Sequence, residues 1–227
     1  MSWVTKTLNS TLGRKLLMAL TGLFLILFLV VHLAGNLQLL AGDEGDAFNV
    51  YAHSMSTNPL IRIVSIFNFA FIILHVVYSI LLTRHNKKAR PVEYAVTKPS
   101  ANSAWSSRNM GILGTIILIF ILIHLRGFWY RLKFGTPDKV TIGGDEYDNA
   151  FIIVEETFKN PIYVVFYVIS MAFLAFHLSH GFASAFQTIG LNHKKYSPLI
   201  QKIGMGFSIL VPALFALIPI VMYIQSL

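Results

Sequence analysis

Five stretches of this chain are too long and too continuously apolar for a soluble domain of its size. They cover about residues 15–40, 60–83, 109–130, 161–186 and 203–224, and each supplies the roughly 20 residues that a helix needs to cross a hydrocarbon core of about 30 Å. In lipid the backbone must satisfy its own polar groups, so each stretch is read as an α-helix. The expected fold is therefore all-α: a single transmembrane domain over residues 1–227, with five helices in a bundle. Composition agrees, at 55% hydrophobic and 12% charged, well outside the soluble range. Trp129, Tyr130, Tyr163 and Tyr223 stand near segment ends, where amphipathic rings prefer the membrane–water boundary. Lys6, Arg14 and Lys15 before the first stretch imitate the start of a signal peptide, but the apolar run is too long and no A-x-A cleavage site follows it. No internal repeat or separate soluble domain is evident.

Five crossings place the two termini on opposite sides. The N-terminus and the 84–108 and 187–202 connections hold Lys6, Arg14, Lys15, Arg84, Lys87, Lys88, Arg90, Lys98, Arg108, Lys194, Lys195 and Lys202, which is 12 of the 18 Lys and Arg. The other face collects Asp43, Glu44, Asp46, Asp138, Asp145, Glu146, Asp148, Glu155 and Glu156, leaving only Glu93 among the acids of the basic face. The positive-inside rule then puts the N-terminus in the cytoplasm and the C-terminus outside. The net charge of +8 accordingly reflects topology and suits an acidic partner; nucleic acid is not an expected ligand. On the acidic face, Gly143-Gly144 can turn a hairpin between β-branched residues and an acidic run, although a solvated loop is the ordinary reading.

Within the apolar stretches lie His32, His75, His124 and His177, and an ionisable residue at such a place is a functional candidate by default. Counting turns sorts them into two layers. His32 lies 17 residues beyond Lys15 and His124 lies 16 beyond Arg108, both about 25 Å from the basic face. His75 lies 16 residues beyond Pro59 and His177 lies 16 beyond Pro161, both about 24 Å from the acidic face. The layers should be separated by roughly 10 to 20 Å along the membrane normal.

Zero cysteines exclude disulfides, iron–sulfur ligation by this chain and a covalently attached C-x-x-C-H haem. Any redox cofactor must be held by histidine or methionine, and two imidazoles at one depth on facing helices suit the axial positions of a haem iron. Each ring should be neutral, with its second nitrogen donating to a carbonyl or hydroxyl. Gly35, three residues after His32, and Gly181, four after His177, share the faces of those histidines and can clear room for a porphyrin. Small residues serve helix packing equally well, and single buried histidines often bond helix to helix. Proton relays and transporters also use intramembrane histidines, commonly with buried carboxylates, yet none of the ten carboxylates lies mid-segment.

Four runs carry a family resemblance: GRKLLMALTGLFLILFLVVHLAGNLQ, FNFAFIILHVVYSI, IFILIHLRGFW and FHLSHGFASAFQTIG, the last containing H-x-x-x-G. Over nearly its whole length the chain resembles the single-chain, five-helix, two-haem cytochrome b anchor of succinate:quinone oxidoreductases, the succinate dehydrogenases and fumarate reductases. The resemblance implies that His32 and His124 bind one haem b and His75 and His177 the other. It implies a flavoprotein that oxidises succinate, an iron–sulfur subunit docked on the cytoplasmic face, a quinone, expected to be menaquinone, and a bacterial cytoplasmic (inner) membrane. The chain would do no succinate chemistry, and no catalytic residue is assigned to it. Some relatives carry a glutamate two residues before the fourth-helix ligand as a proton route; Ala175 stands there in this chain.

The remaining candidates surround these layers. Arg14, Lys15, Trp105, Ser107 and Arg108 border the inner layer and can hold haem propionates, with Arg126 and Arg131 in that role outside. Interfacial anchoring explains the same residues. His180, one turn from His177, can reach a propionate or quinone. For quinone the outer end offers Asn36, Gln38, Tyr51 and His53, beside Asp43 and Glu44; Trp105, Ser107 and Arg108 form the inner alternative. Pro212 and Pro219 mark the last, histidine-free helix as a scaffold with local kinks. Competing functions are the cytochrome b subunit of a hydrogenase or formate dehydrogenase, and a haem-free transporter.

Overall fold

The structure is a computed structural model that describes residues 2–3, 6–7, 10–89 and 103–227. Arg90, Glu93 and Lys98, counted above on the basic face, lie outside the described residues. Helix makes up 81% of the described residues. In chain order the elements are α1 (Thr11–Asn36), α2 (Asp46–Thr57), α3 (Pro59–Lys88), α4 (Trp105–Arg108), α5 (Met110–His124), α6 (Tyr130–Phe134), the strands β1 (Lys139–Ile142) and β2 (Asp145–Asp148), α7 (Ala150–Phe158), α8 (Pro161–Thr188) and α9 (Ser197–Gln225). A 3-10 turn, Leu37–Leu40, extends α1, and a π-turn, Leu125–Trp129, joins α5 to α6.

Among the described residues, five spans are long and apolar enough to cross a membrane: Thr11–Leu40, Pro59–Lys88, Met110–Phe134, Pro161–Thr188 and Ser197–Gln225. Most run past the apolar stretches by several residues, because a helix ends where its backbone is capped and not where its side chains turn polar. α3 continues through Arg84 to Lys88, and its last turn carries His85, Lys87 and Lys88, cations that favour a helix C-terminus.

The caps are local and legible. Asn58 Oδ1 accepts a hydrogen bond from Leu60 N at 2.9 Å, and Asn160 Oδ1 accepts one from Ile162 N at 2.9 Å, so α3 and α8 both open on Asn-Pro with proline in the first helical position. α8 closes on Gly190, φ +92°, with Gly190 N donating to Gln187 O and Leu191 N to Phe186 O. This Schellman arrangement needs a residue at ease in the left-handed region. α9 continues through Pro212 and Pro219.

The long acidic-face connection is more ordered than a solvated loop. β1 and β2 pair antiparallel with Lys139 opposite Asp148 and Ile142 opposite Asp145, and Gly143 and Gly144 both have positive φ, +62° and +96°. That is the two-residue turn whose twist suits adjoining strands, so the hairpin forms.

Asn49 ties α2 to α7. Its side chain is buried, its Oδ1 accepts from Phe151 N at 2.9 Å, and its Nδ2 donates to Asn149 Oδ1 at 3.3 Å. Asn149 Oδ1 also accepts from Ile152 N, so two asparagines satisfy two otherwise orphaned donors in the first turn of α7. Asn49→Ala strands a buried amide and should cost about 2 kcal/mol, read as a lower unfolding temperature of the full chain in detergent. An unchanged midpoint would refute this account.

The chain divides into two compact units. The first comprises Met1–Phe28, Phe67–Thr115 and Ala175–Ile209, the second Leu29–Ile66, Ile116–Leu174 and Leu210–Leu227. Each spanning helix contributes one length to each unit.

Candidate functional site

The first unit contains His75 on α3 and His177 on α8. Both follow their capped Asn-Pro starts by the same number of residues, so the two caps set their heights alike. Their ring centroids are 6.3 Å apart with an interplanar angle of 65°. Two residues of α1 seat His75. The Thr21 hydroxyl lies 3.2 Å from His75 Nδ1, and a Cβ built on Gly22 would stand 3.3 Å from His75 Cε1. Gly114 of α5 lies against His177, where an added Cβ would be 3.9 Å from its Cε1. Among the described residues no group bonds His177 Nδ1, although it is buried. Asn68, two turns before His75, is also buried with its Oδ1 unpartnered.

The second unit contains His32 on α1 and His124 on α5, with centroids 5.8 Å apart and rings nearly perpendicular at 89°. Asn36 lies one turn beyond His32, its Nδ2 3.3 Å from the ring Nδ1 while it donates to His32 O at 2.7 Å. His124 Nδ1 stands 3.3 Å from the hydroxyl of Tyr167 on α8. Phe120, Phe128 and Tyr167 surround this ring, and Phe215 of α9 packs against His32. The π-turn begins immediately after His124, and such bulges concentrate at functional positions.

These separations suit one metal between each pair. Two metal–imidazole bonds of about 2 Å, with about 1 Å from each nitrogen to its ring centre, give roughly 6 Å between centroids. No group of three or more His, Cys, Asp or Glu side chains that could hold a metal ion occurs among the described residues. The buried, unpartnered His177 Nδ1 is consistent with a metal at that couple.

The other expected residues are distributed as follows. In the first unit, Arg14 is half-buried and Lys15 exposed in the opening turns of α1. Trp105 lies edge-on to Phe176 at 5.5 Å, Ser107 is half-buried, and an Arg108 guanidinium nitrogen donates to Ser103 O. His180 is half-buried one turn beyond His177, and no described atom lies within 4 Å of a Cβ placed on Gly181. In the second unit, Gly35 leaves no open room: a Cβ there would meet the Tyr51 ring at 2.4 Å. Close approach by that phenol explains the glycine. Gln38 lies in the 3-10 turn, and exposed His53 stacks edge-on with Tyr147 of β2 at 5.2 Å. Asp43 caps α2, accepting from Ala47 N at 2.8 Å. Arg126 covers the Tyr130 ring at 4.6 Å, and Arg131 pairs with Glu156 at 3.3 Å.

Sequence reading missed Thr21, Gly22, Gly114 and Tyr167. A hydroxyl inside an apolar run was the available signal, but Ser170 and Ser208 give the same one, and only packing selects among them. No protein-family profile, curated protein or solved structure matches this chain.

Proposed function

We propose that this multi-pass membrane protein is the two-haem cytochrome b anchor of a succinate:quinone oxidoreductase in a bacterial cytoplasmic membrane. It would pass electrons from an iron–sulfur subunit, itself fed by a flavoprotein, to quinone. The observation that carries this reading is the pair of imidazole couples, His32 with His124 at 5.8 Å and His75 with His177 at 6.3 Å, drawn from four different spanning helices.

Bound haem b would supply one-electron chemistry at its iron, while the protein supplies position and environment. The imidazoles of each couple would hold one haem, and the hydroxyls of Thr21 and Tyr167 lie within hydrogen-bond distance of one ring of each. Arg14, Lys15, Trp105, Ser107 and Arg108 would receive propionates in the first unit, and Arg126 in the second. The positive-inside argument sets the basic connections, with the N-terminus, on the cytoplasmic side, where the soluble subunits would dock. Quinone, taken as menaquinone, is assigned to the opposite face. The second unit has a cavity of about 440 Å³ lined by Leu39, Gly42, Glu44, Gly45, Phe151, Glu155 and Gln225, within the usual size of small-molecule sites. It adjoins the turn bearing Gln38; Asn36, Tyr51 and His53 do not line it.

The test is a reduced-minus-oxidised spectrum of the purified chain together with identification of its co-purifying subunits. A two-component b-type spectrum with a flavoprotein is expected. A nickel or molybdenum partner would assign the chain to a hydrogenase or formate dehydrogenase, and absence of a haem spectrum would refute the electron-transfer reading.

A further inference from the structure

We infer that Thr21 is the positioning residue of the His75 ring, fixing its tautomer by accepting a hydrogen bond from Nδ1–H. The argument is proton counting. Thr21 is buried, and its hydroxyl has one proton. That proton goes back along α1 to Leu17 O at 2.8 Å, with Met18 O second at 3.1 Å. Both are carbonyls and only accept. Toward His75 Nδ1, 3.2 Å away, the oxygen then offers lone pairs, which makes the ring nitrogen the donor, with the Met18 carbonyl a second backbone acceptor beside the same ring. A neutral imidazole protonated at Nδ1 carries its free lone pair on Nε2.

The next residue serves the same end. Gly22 brings the α1 backbone to the edge of the ring, where a methyl group would crowd Cε1 at 3.3 Å. Thr21 and Gly22 thus hold one ring of the couple by a hydrogen bond and by contact. His177 has no such partner at Nδ1 among the described residues, so the couple is anchored from one side.

An acceptor at Nδ1–H increases the donor strength of Nε2 and so favours the more oxidised state of a metal bound there. This redox consequence rests on the two-haem reading, whereas the tautomer does not. Thr21→Val keeps the shape and removes the acceptor; Thr21→Ser restores it. In spectroelectrochemical titration of the purified full chain in lipid nanodiscs, Thr21→Val should raise the midpoint of one b-type component and leave the other unmoved. The shifted component should be the one that His75→Ala eliminates, and Thr21→Ser should titrate like the wild type. Equal shifts of both components, no shift, or a serine variant that behaves like valine would overturn the inference. Solid-state ¹⁵N NMR of histidine-labelled chain supplies a readout without redox chemistry: His75 should be protonated at Nδ1 in the wild type and the serine variant. Protonation at Nε2 in the wild type would overturn the inference even if the valine variant failed to fold. A chain with no b-type spectrum but an Nδ1-protonated His75 would instead refute the two-haem reading and leave Thr21 in its role.

Discussion

Replacing His75 or His177 by alanine is expected to eliminate one b-type haem, and replacing His32 or His124 the other, lowering the haem content from about two per chain to about one. On the two-haem proposal the losses are matched because the partners sit as couples at 6.3 Å and 5.8 Å, and either substitution would remove one of the two residues that would hold a haem. Each couple lies wholly within one of the two units, so a substitution in one should leave the other component's absorption intact. His180→Ala is the control. It lies one turn from His177 on α8, and its variant should keep both components. Loss of spectroscopically different haems from the His32 and His124 variants would break the couple assignment. Loss of haem from His180→Ala with retention in His177→Ala would move the ligand by one turn.

Electron transfer from succinate to quinone should also depend on membrane potential. On the proposed reading, succinate electrons would arrive at the cytoplasmic face and quinone would be reduced at the opposite one, so charge would move outward and the quinone would take its protons from outside. A potential positive outside favours that movement by about 2.3 kcal/mol per charge per 100 mV over a full crossing, or roughly 50-fold in the equilibrium constant. In sealed, energised vesicles of native orientation, uncoupler should therefore slow succinate-to-quinone transfer and leave succinate-to-soluble-dye transfer unchanged. Equal quinone rates with and without potential would move the quinone site to the cytoplasmic face, near Trp105, Ser107 and Arg108. Enlarging a side chain that lines the 440 Å³ cavity offers a separate check: Gln225→Trp should raise the KM for quinone while both b-type components persist. An unchanged KM would place quinone elsewhere.

Much of this molecule is written in local sequence, because the constraints that set it are local. An apolar run of 20 residues has to be a helix in lipid wherever its neighbours are. Asn58-Pro59 and Asn160-Pro161 set two helix starts through contacts spanning only two residues, and Gly190 ends α8 in the same way. Helical rise then makes residue number a ruler, so the like depth of His75 and His177, and of His32 and His124, follows from counting turns, while their facing each other does not. Gly143-Gly144 belongs to this class too, since both positive-φ positions lie in the turn itself.

What tertiary structure alone decided is which side chains approach from elsewhere in the chain. Gly35 reads as room on the His32 face, but Tyr51 of α2 fills that space. Asn49 reads as an ordinary polar residue of a short helix, yet it caps α7 across about 100 positions of sequence and is buried for that reason. Thr21 becomes the partner of His75, and Tyr167 that of His124, through helix rotation and lateral packing. Those quantities depend on all the helices at once. Hydropathy measures depth along each helix, and in runs as continuously apolar as these it carries almost no record of azimuth.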